Sequence, residues 1–278
     1  MGFASVEALL AAAQSVPLWE AVLLSDVADR GVTRESSLSK MTRHWDAMVQ
    51  AVADYDPGLR SASGLVGGDG GRMDAAPAQL LGDYGRAVIA TALKTGECNA
   101  CMRRIVAAPT AGASGVLPAV LIPCRGRHGD GEIVRALYVA AGFGQVIATR
   151  ASISGAEGGC QAEVGSASGM AAAALTALRG GSPAQCAAAC AMALQNLLGL
   201  VCDPVGGLVE VPCVKRNVTG AMNAVCAAEM ALAGIGTAIP CDEVIDAMRA
   251  VGDAMPATLR ETGEGGLAAT PTARRLEL

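Results

Sequence analysis

Three cysteines stand in glycine- and proline-rich surroundings that a packing thiol does not need. Cys160 lies in G-A-E-G-G-C-Q-A-E, from Gly155 to Glu163, and Cys202 and Cys213 bracket C-D-P-V-G-G-L-V-E-V-P-C. A core thiol merely fills space as a small hydrophobe. A thiolate that binds metal needs N–H groups to hold its charge and turns that bring distant sulfurs together. Gly158–Gly159, Asp203–Pro204 and Gly206–Gly207 are turn formers of that kind. Three soft ligands with no histidine close by favour iron–sulfur chemistry over zinc, which wants a fourth Cys or His at matching spacing. With three cysteines instead of the usual four, one iron keeps an open position. An open Lewis-acid site implies catalysis. The duller readings are three unrelated core thiols, or a closed metal site in a non-enzymatic regulatory subunit.

Lys215, Arg216 and Asn217 directly follow Cys213. They read either as a solvated helix start or as groups that bind a substrate carboxylate or tune a metal site. Two glycine-rich stretches supply hydroxyls where backbone can approach a ligand closely. One holds Ser61, Ser63, Gly64, Gly67 and Gly68; the other holds Thr110, Gly112 and Ser114. No lysine-bearing phosphate loop follows Gly67–Gly71, and Gly142-Phe143-Gly144 lacks the third glycine of a dinucleotide fingerprint. A nest of N–H groups for a small carboxylate is the better use; tight turns between helices are the plain alternative. Cys98 and Cys101, and Cys186 and Cys190, have helical spacing and read as packing. His44 reads as amphipathic helix surface and His128 as part of an exposed loop.

These groups must be held by helices. The 278 residues are 52% hydrophobic but only 3% aromatic, so small side chains fill the core and helix backbones pack closely. Period-two runs of β-branched residues are scarce, which predicts an all-α fold. The expected architecture is a single helical catalytic domain over residues 1–278 with glycine-rich active-site loops, and residues 1–40 as a helical extension. Two helices are expected before residue 55, at Val6–Ala13 and Met41–Asp54, with Ser36–Ser39 as the cap of the second. Further helices are expected over 79–96, 132–148, 162–179, 183–200, 220–234 and 241–255, with loops over 56–74 and 152–161. Net charge is −5 with no long basic run, which argues against a nucleic-acid partner. The longest apolar stretches contain Gln195, Asn196, Asn223 and Glu229, which argues against a membrane span. Ten cysteines without a secretory leader point to a reducing cytoplasm.

The chain resembles the α chain of iron–sulfur-dependent L-serine dehydratase (L-serine ammonia-lyase). The resemblance is carried by S-A-S-G-L-V-G-G-D (61–69), I-V-A-A-P-T-A-G-A-S-G-V-L-P (105–118), A-S-I-S-G-A-E-G-G-C-Q-A-E-V-G-S-A-S (151–168), N-L-L-G-L-V-C-D-P-V-G-G-L-V-E-V-P-C-V-K-R-N (196–217) and L-R-E-T-G-E-G-G-L-A-A-T-P-T (259–272). It implies an all-helical catalytic domain and a [4Fe–4S] cluster on Cys160, Cys202 and Cys213. It also implies substrate loops at 61–69 and 108–114, a separate β subunit, and no pyridoxal phosphate. The implied reaction turns L-serine into pyruvate and ammonia through loss of water and an aminoacrylate, a step of amino-acid degradation that feeds gluconeogenesis. The proton acceptor is open: Lys215, a β-subunit group and a cluster-bound ligand all remain. β-Elimination from another amino acid, with L-cysteine desulfidation the nearest case, uses the same scaffold. Assembly into a homo-oligomer is also compatible with the chain.

Overall fold

A computed structural model describes residues 2–77 and 79–276. Helix α1 (Val6–Ala12) starts where Ser5 Oγ accepts a hydrogen bond from the Ala8 N–H. Helix α2 (Leu18–Arg30) follows Pro17 and stops at Gly31, which takes a left-handed conformation. Helix α3 (Arg34–Ala53) is capped by Thr33, whose hydroxyl accepts from the Ser36 N–H. Three helices therefore stand where two were expected, and Ser36–Ser39 lie inside α3 instead of capping it. The buried residues of α2 are confined to its first half, Leu18 to Leu23, so its apolar stripe is too short to show in the sequence pattern.

Helix α4 (Asp69–Ala75) is a short turn inside what reads as a loop, and α5 (Asp83–Ala100) runs four residues later than predicted. Then come α6 (Val116–Leu121), α7 (Asp130–Arg150), the single turn α8 (Gly155–Gly158), a π-helical turn at Gln161–Gly165, and α9 (Ser166–Leu178). The chain ends in α10 (Pro183–Gln195), α11 (Cys213–Leu232), α12 (Cys241–Ala254) and short 3₁₀ turns. Helix α10 ends at Gln195 rather than at residue 200. Helix α11 begins seven residues before the predicted start, so Cys213 opens it.

The fold is all-α, as expected: among the described residues β pairing amounts to one isolated parallel bridge, Cys202 with Arg260. Helix α9 forms the centre. Every residue from Ser166 to Thr176 is buried, and α6, α7, α10 and α11 pack around it. Alanines 171–174 are at most 0% exposed; methyl groups of that size let five helices share one crossing region without overpacking. Among the described residues no helix is long and apolar enough to cross a membrane.

Candidate metal centre and active site

The cysteine loops are built by three strokes of local chemistry. Gly159, at φ +74°, turns the chain into Cys160, the residue before the π turn. The wider turn is of a kind that recurs at functional sites. Gln161 is buried and fixes this turn: its N–H donates to Leu200 O, its Nε2 to Met248 O, and its Oε1 accepts from Gly199 N. Cys202 is held by main chain on both sides, its N–H donating to Leu259 O and its carbonyl accepting from Glu261 N, each at 2.8 Å. Cys213 is fixed as the first residue of α11.

Cys160, Cys202 and Glu163 bring their ligand atoms within 4.8 Å of one another. Cys213 stands further out, buried and within electrostatic reach of Cys160, Glu163 and Arg216. Arg216 Nη1 lies 3.6 Å from Cys160 Sγ, 2.8 Å from Asp203 Oδ1 and 2.8 Å from Val201 O. Asp203, 3% exposed, also accepts from Leu267 N at 2.7 Å. The sulfurs are electrostatically unequal. A hydrogen bond from Cys202, then the Arg216 guanidinium, pull the Cys160 thiol below its ordinary range against burial. The Cys202 thiol is pushed up by that same hydrogen bond and by burial, and burial pushes Cys213 to about 12. Burial also raises the Glu163 carboxyl, with the Thr110 hydroxyl opposing and Glu261 adding like charge.

The space between these groups is held open by a missing side chain. A Cβ on Gly155 would sit 2.8 Å from Glu163 Oε2 and 3.1 Å from both Cys202 Sγ and Glu261 Oε2. A cradle of two close thiols, a third standing off, and a neighbouring cation suits an iron–sulfur cluster, which takes thiolates at separate corners. A single tetrahedral ion needs all its ligands at one short distance. The residues present therefore fit the group.

The candidate substrate loops meet this cradle through carboxylates. Ser61 Oγ donates to Glu210 Oε2 at 2.7 Å and Ser63 Oγ donates to the same oxygen. Gly64, Gly67 and Gly68 all have positive φ, and a Cβ on Gly67 would lie 2.2 Å from Leu59 O. The buried Glu97 carboxylate accepts from the N–H groups of Asp69 and Gly70 and from Tyr55 Oη, anchoring the end of this loop. In the second loop, Gly112 adjoins Glu163, where a Cβ would come to 3.4 Å from Oε2. Thr110 Oγ1 and Ser114 Oγ are buried with no completed hydrogen bond among the described residues.

Asn217 is 1% exposed, and its amide is engaged with backbone: Nδ2 donates to Gly112 O and Cys213 O, and Oδ1 accepts from Gly115 N. It joins the second loop to α11. Lys215 points outward, its side chain 78% exposed and its Nζ 3.9 Å from Asp69 Oδ2. Neither histidine lines the cradle. His44 lies beside Tyr138 in a separate cavity, and His128 Nδ1 is 3.7 Å from Glu132 Oε2. Sequence reading passed over Glu163, Glu210 and Glu97, and took Asp203 only as a turn former. Only Glu163 left a signal, as the residue three positions after Cys160 and so on the same helical face.

An all-α scaffold whose loops gather thiols, carboxylates and one arginine around a glycine-made opening defines a helical protein with a buried thiol–carboxylate site. The chain belongs to the serine dehydratase alpha chain family, whose model matches residues 13–268. It is 52% identical over 250 residues to the probable L-serine dehydratase, alpha chain, of Bacillus subtilis (strain 168), covering 88% of this chain and 83% of that one. The corresponding protein of Latilactobacillus sakei is 55% identical over 193 residues, 68% of this chain and 92% of that one. The L-serine dehydratase, alpha chain, of Peptoniphilus asaccharolyticus is 47% identical over 199 residues, 71% of this chain and 68% of that one.

Proposed function

We propose that this chain is the cluster-bearing α chain of an L-serine dehydratase, a lyase that converts L-serine to pyruvate and ammonia. The observation that carries the reading is the cradle itself: Cys160, Cys202 and Glu163 converge, Cys213 and Arg216 flank them, and Gly155 leaves the space between them free. Cys160, Cys202 and Cys213 would hold a [4Fe–4S] cluster, and Glu163 stands close enough to take part. When bound, a cluster short of one cysteine supplies a Lewis acid toward a hydroxyl.

The chain's own residues do the rest. Arg216 places positive charge beside the Cys160 sulfur, which favours the thiolate, and Asp203 holds that guanidinium in place. Thr110 and Ser114 offer buried hydroxyls for the substrate's polar groups. Ser61 and Ser63, fixed by Glu210, and the turn made by Gly64, Gly67 and Gly68 would form the wall for its carboxylate. Gly112 and Asn217 set the position of the second loop. Lys215 stands at the rim near Asp69, and a rotated side chain is required for it to accept the Cα proton. A β subunit and a cytoplasmic setting belong to the same reading.

The test is preparation of the chain without oxygen, with and without its β chain, followed by iron and sulfide analysis and a pyruvate assay on L-serine and L-cysteine. About four irons per chain with pyruvate from serine is the expected result. Cys160→Ser, Cys202→Ser and Cys213→Ser should each remove iron and turnover while leaving the helical circular dichroism in place. A triple variant that keeps both would overturn the ligand assignment. Sulfide release outpacing serine turnover would reassign the substrate.

A further inference from the structure

One cavity lies away from Cys160, Cys202 and Cys213, with Cys124 in its wall. It has a volume of about 540 Å³ and lies between the start of α5, the 3₁₀ turn at Ile122–Gly126, the end of α9 and the second half of α11. Sixteen residues of α11 separate Cys213 from Glu229 on its wall, about 24 Å at 1.5 Å per residue. The volume falls in the range of about 300–1,000 Å³ found for small-molecule sites.

Its chemistry is divided. The floor is apolar, formed by Ala87, Leu175, Val225 and Leu232 with the ring of Tyr84. The rim carries Arg127 and Arg179 on one hand and Asp83 and Glu229 on the other. None of these four makes an ion pair among the described residues, although cations and carboxylates elsewhere on this chain pair readily, as in Arg125–Asp130 and Arg150–Asp246. Both guanidiniums line the cavity with Cys124 and act on its thiol, lowering what burial pushes up. Arg179 and Glu229 act together with opposite sign on Tyr84, whose hydroxyl donates to Val120 O. Cationic and anionic groups thus face one half-enclosed apolar space without neutralising each other.

We propose that this cavity is a binding site for a free α-amino acid with an apolar side chain. Arg127 and Arg179 receive the carboxylate, since guanidinium forks match its geometry. Asp83 and Glu229 receive the ammonium, and the floor takes the hydrocarbon. A ligand carrying only one of the two charges leaves half the rim unsatisfied, so recognition demands both. The site stands apart from the cysteine cradle, and α5 and α11, which pack on each other, run from one to the other.

Calorimetric titration of the full chain with L-leucine and L-phenylalanine tests this. Saturable binding is expected, at least tenfold tighter than for 4-methylpentanoate, which lacks the ammonium, or 3-methylbutylamine, which lacks the carboxylate. Arg179→Gln and Glu229→Gln, both at exposed positions, should each weaken leucine binding at least tenfold and leave iron content unchanged. Ala87→Phe should fill the floor and abolish binding with the melting transition retained. Absence of saturable heat with either amino acid overturns the proposal. So does affinity that is indifferent to both rim variants, or a cavity that becomes protected from hydrogen exchange only when a protein partner is added.

Discussion

Ser61 donates its hydroxyl hydrogen to Glu210 Oε2 at 2.7 Å, a bond between positions 149 residues apart. Ser63 donates to the same oxygen, and Glu210 belongs to the segment between Cys202 and Cys213. The serine loop is therefore tied to the cysteine loop by one buried carboxylate. Glu210→Ala should release the serine loop, raise KM for L-serine and lower kcat/KM by about 10²-fold, the scale of a 1 Å misplacement. Iron content should persist, and Glu210→Gln, which keeps an acceptor oxygen, should recover much of the loss. Steady-state kinetics beside iron analysis decides it; kinetics unmoved by the alanine would refute the tether.

Gly155→Ala adds a single methyl group in contact with Glu163, Cys202 and Glu261. Iron loading should fall to near background while thermal unfolding shifts little, because Gly155 sits in a one-turn helix outside the central packing. Normal iron content in this variant would show that the space it guards is not the metal site.

Glu163→Gln keeps shape and removes charge. If the carboxylate supports the metal site, affinity for iron or turnover should drop about 10–100-fold. A visible spectrum altered relative to the parent, at equal iron content, would place Glu163 against the bound group. An unaltered spectrum with unaltered turnover would leave it as loop packing.

Asn217→Ala breaks three hydrogen bonds, to Gly112, Gly115 and Cys213, the last two of them buried. Each abandoned group costs about 1–3 kcal/mol, partly relieved by entering water, so a loss of about 2–4 kcal/mol is expected. Denaturant midpoints give the number. A loss below about 0.5 kcal/mol, the size of an ordinary surface change, would contradict its role as the clamp between α11 and the second loop.

Asp26 tests the electrostatics of the amino-terminal helices. Its hydrogen bond with Arg30 first, then Ser37, holds its carboxyl below the ordinary 3.8, with burial opposing. A depressed folded-state value means the ion stabilises the fold above the ordinary pKa, and that gain is lost as pH falls through the folded-state value. Asp26→Asn should therefore lower the melting temperature at pH 7, by an amount that shrinks as the pH approaches 3. A difference that is constant across that range would exclude the charge as the cause.

The helices were legible where the apolar pattern is plain, as over Ser166–Leu178, where alanine fills every side, and Cys241–Ala254, where Val244, Ile245 and Met248 mark one buried stripe. They were illegible where caps decide. Gly31 and Thr33 divide a stretch whose apolar pattern is weak, and Cys213 starts α11 behind a proline. For the site, residue chemistry singled out the three thiols, since turn formers around cysteine are unusual. The carboxylates were hidden for the opposite reason: Glu163 and Glu210 look like ordinary polar positions until the fold buries them. Asn217 and Lys215, two positions apart, face opposite ways because α11 has already begun, so one is clamped inward and the other stands in solvent.

The main-chain bridge at Cys202 sets an order of events during synthesis. Both its amide and its carbonyl are held by residues 259 and 261, more than fifty positions downstream. A ribosome that has released Cys160, Cys202 and Cys213 has not yet supplied the backbone that closes round the second of them. Metal delivered to the nascent chain would meet an unfinished pocket, open on the side of Glu261. Under the proposed function, a cluster would find the wall around Cys202 complete only after translation has passed residue 261.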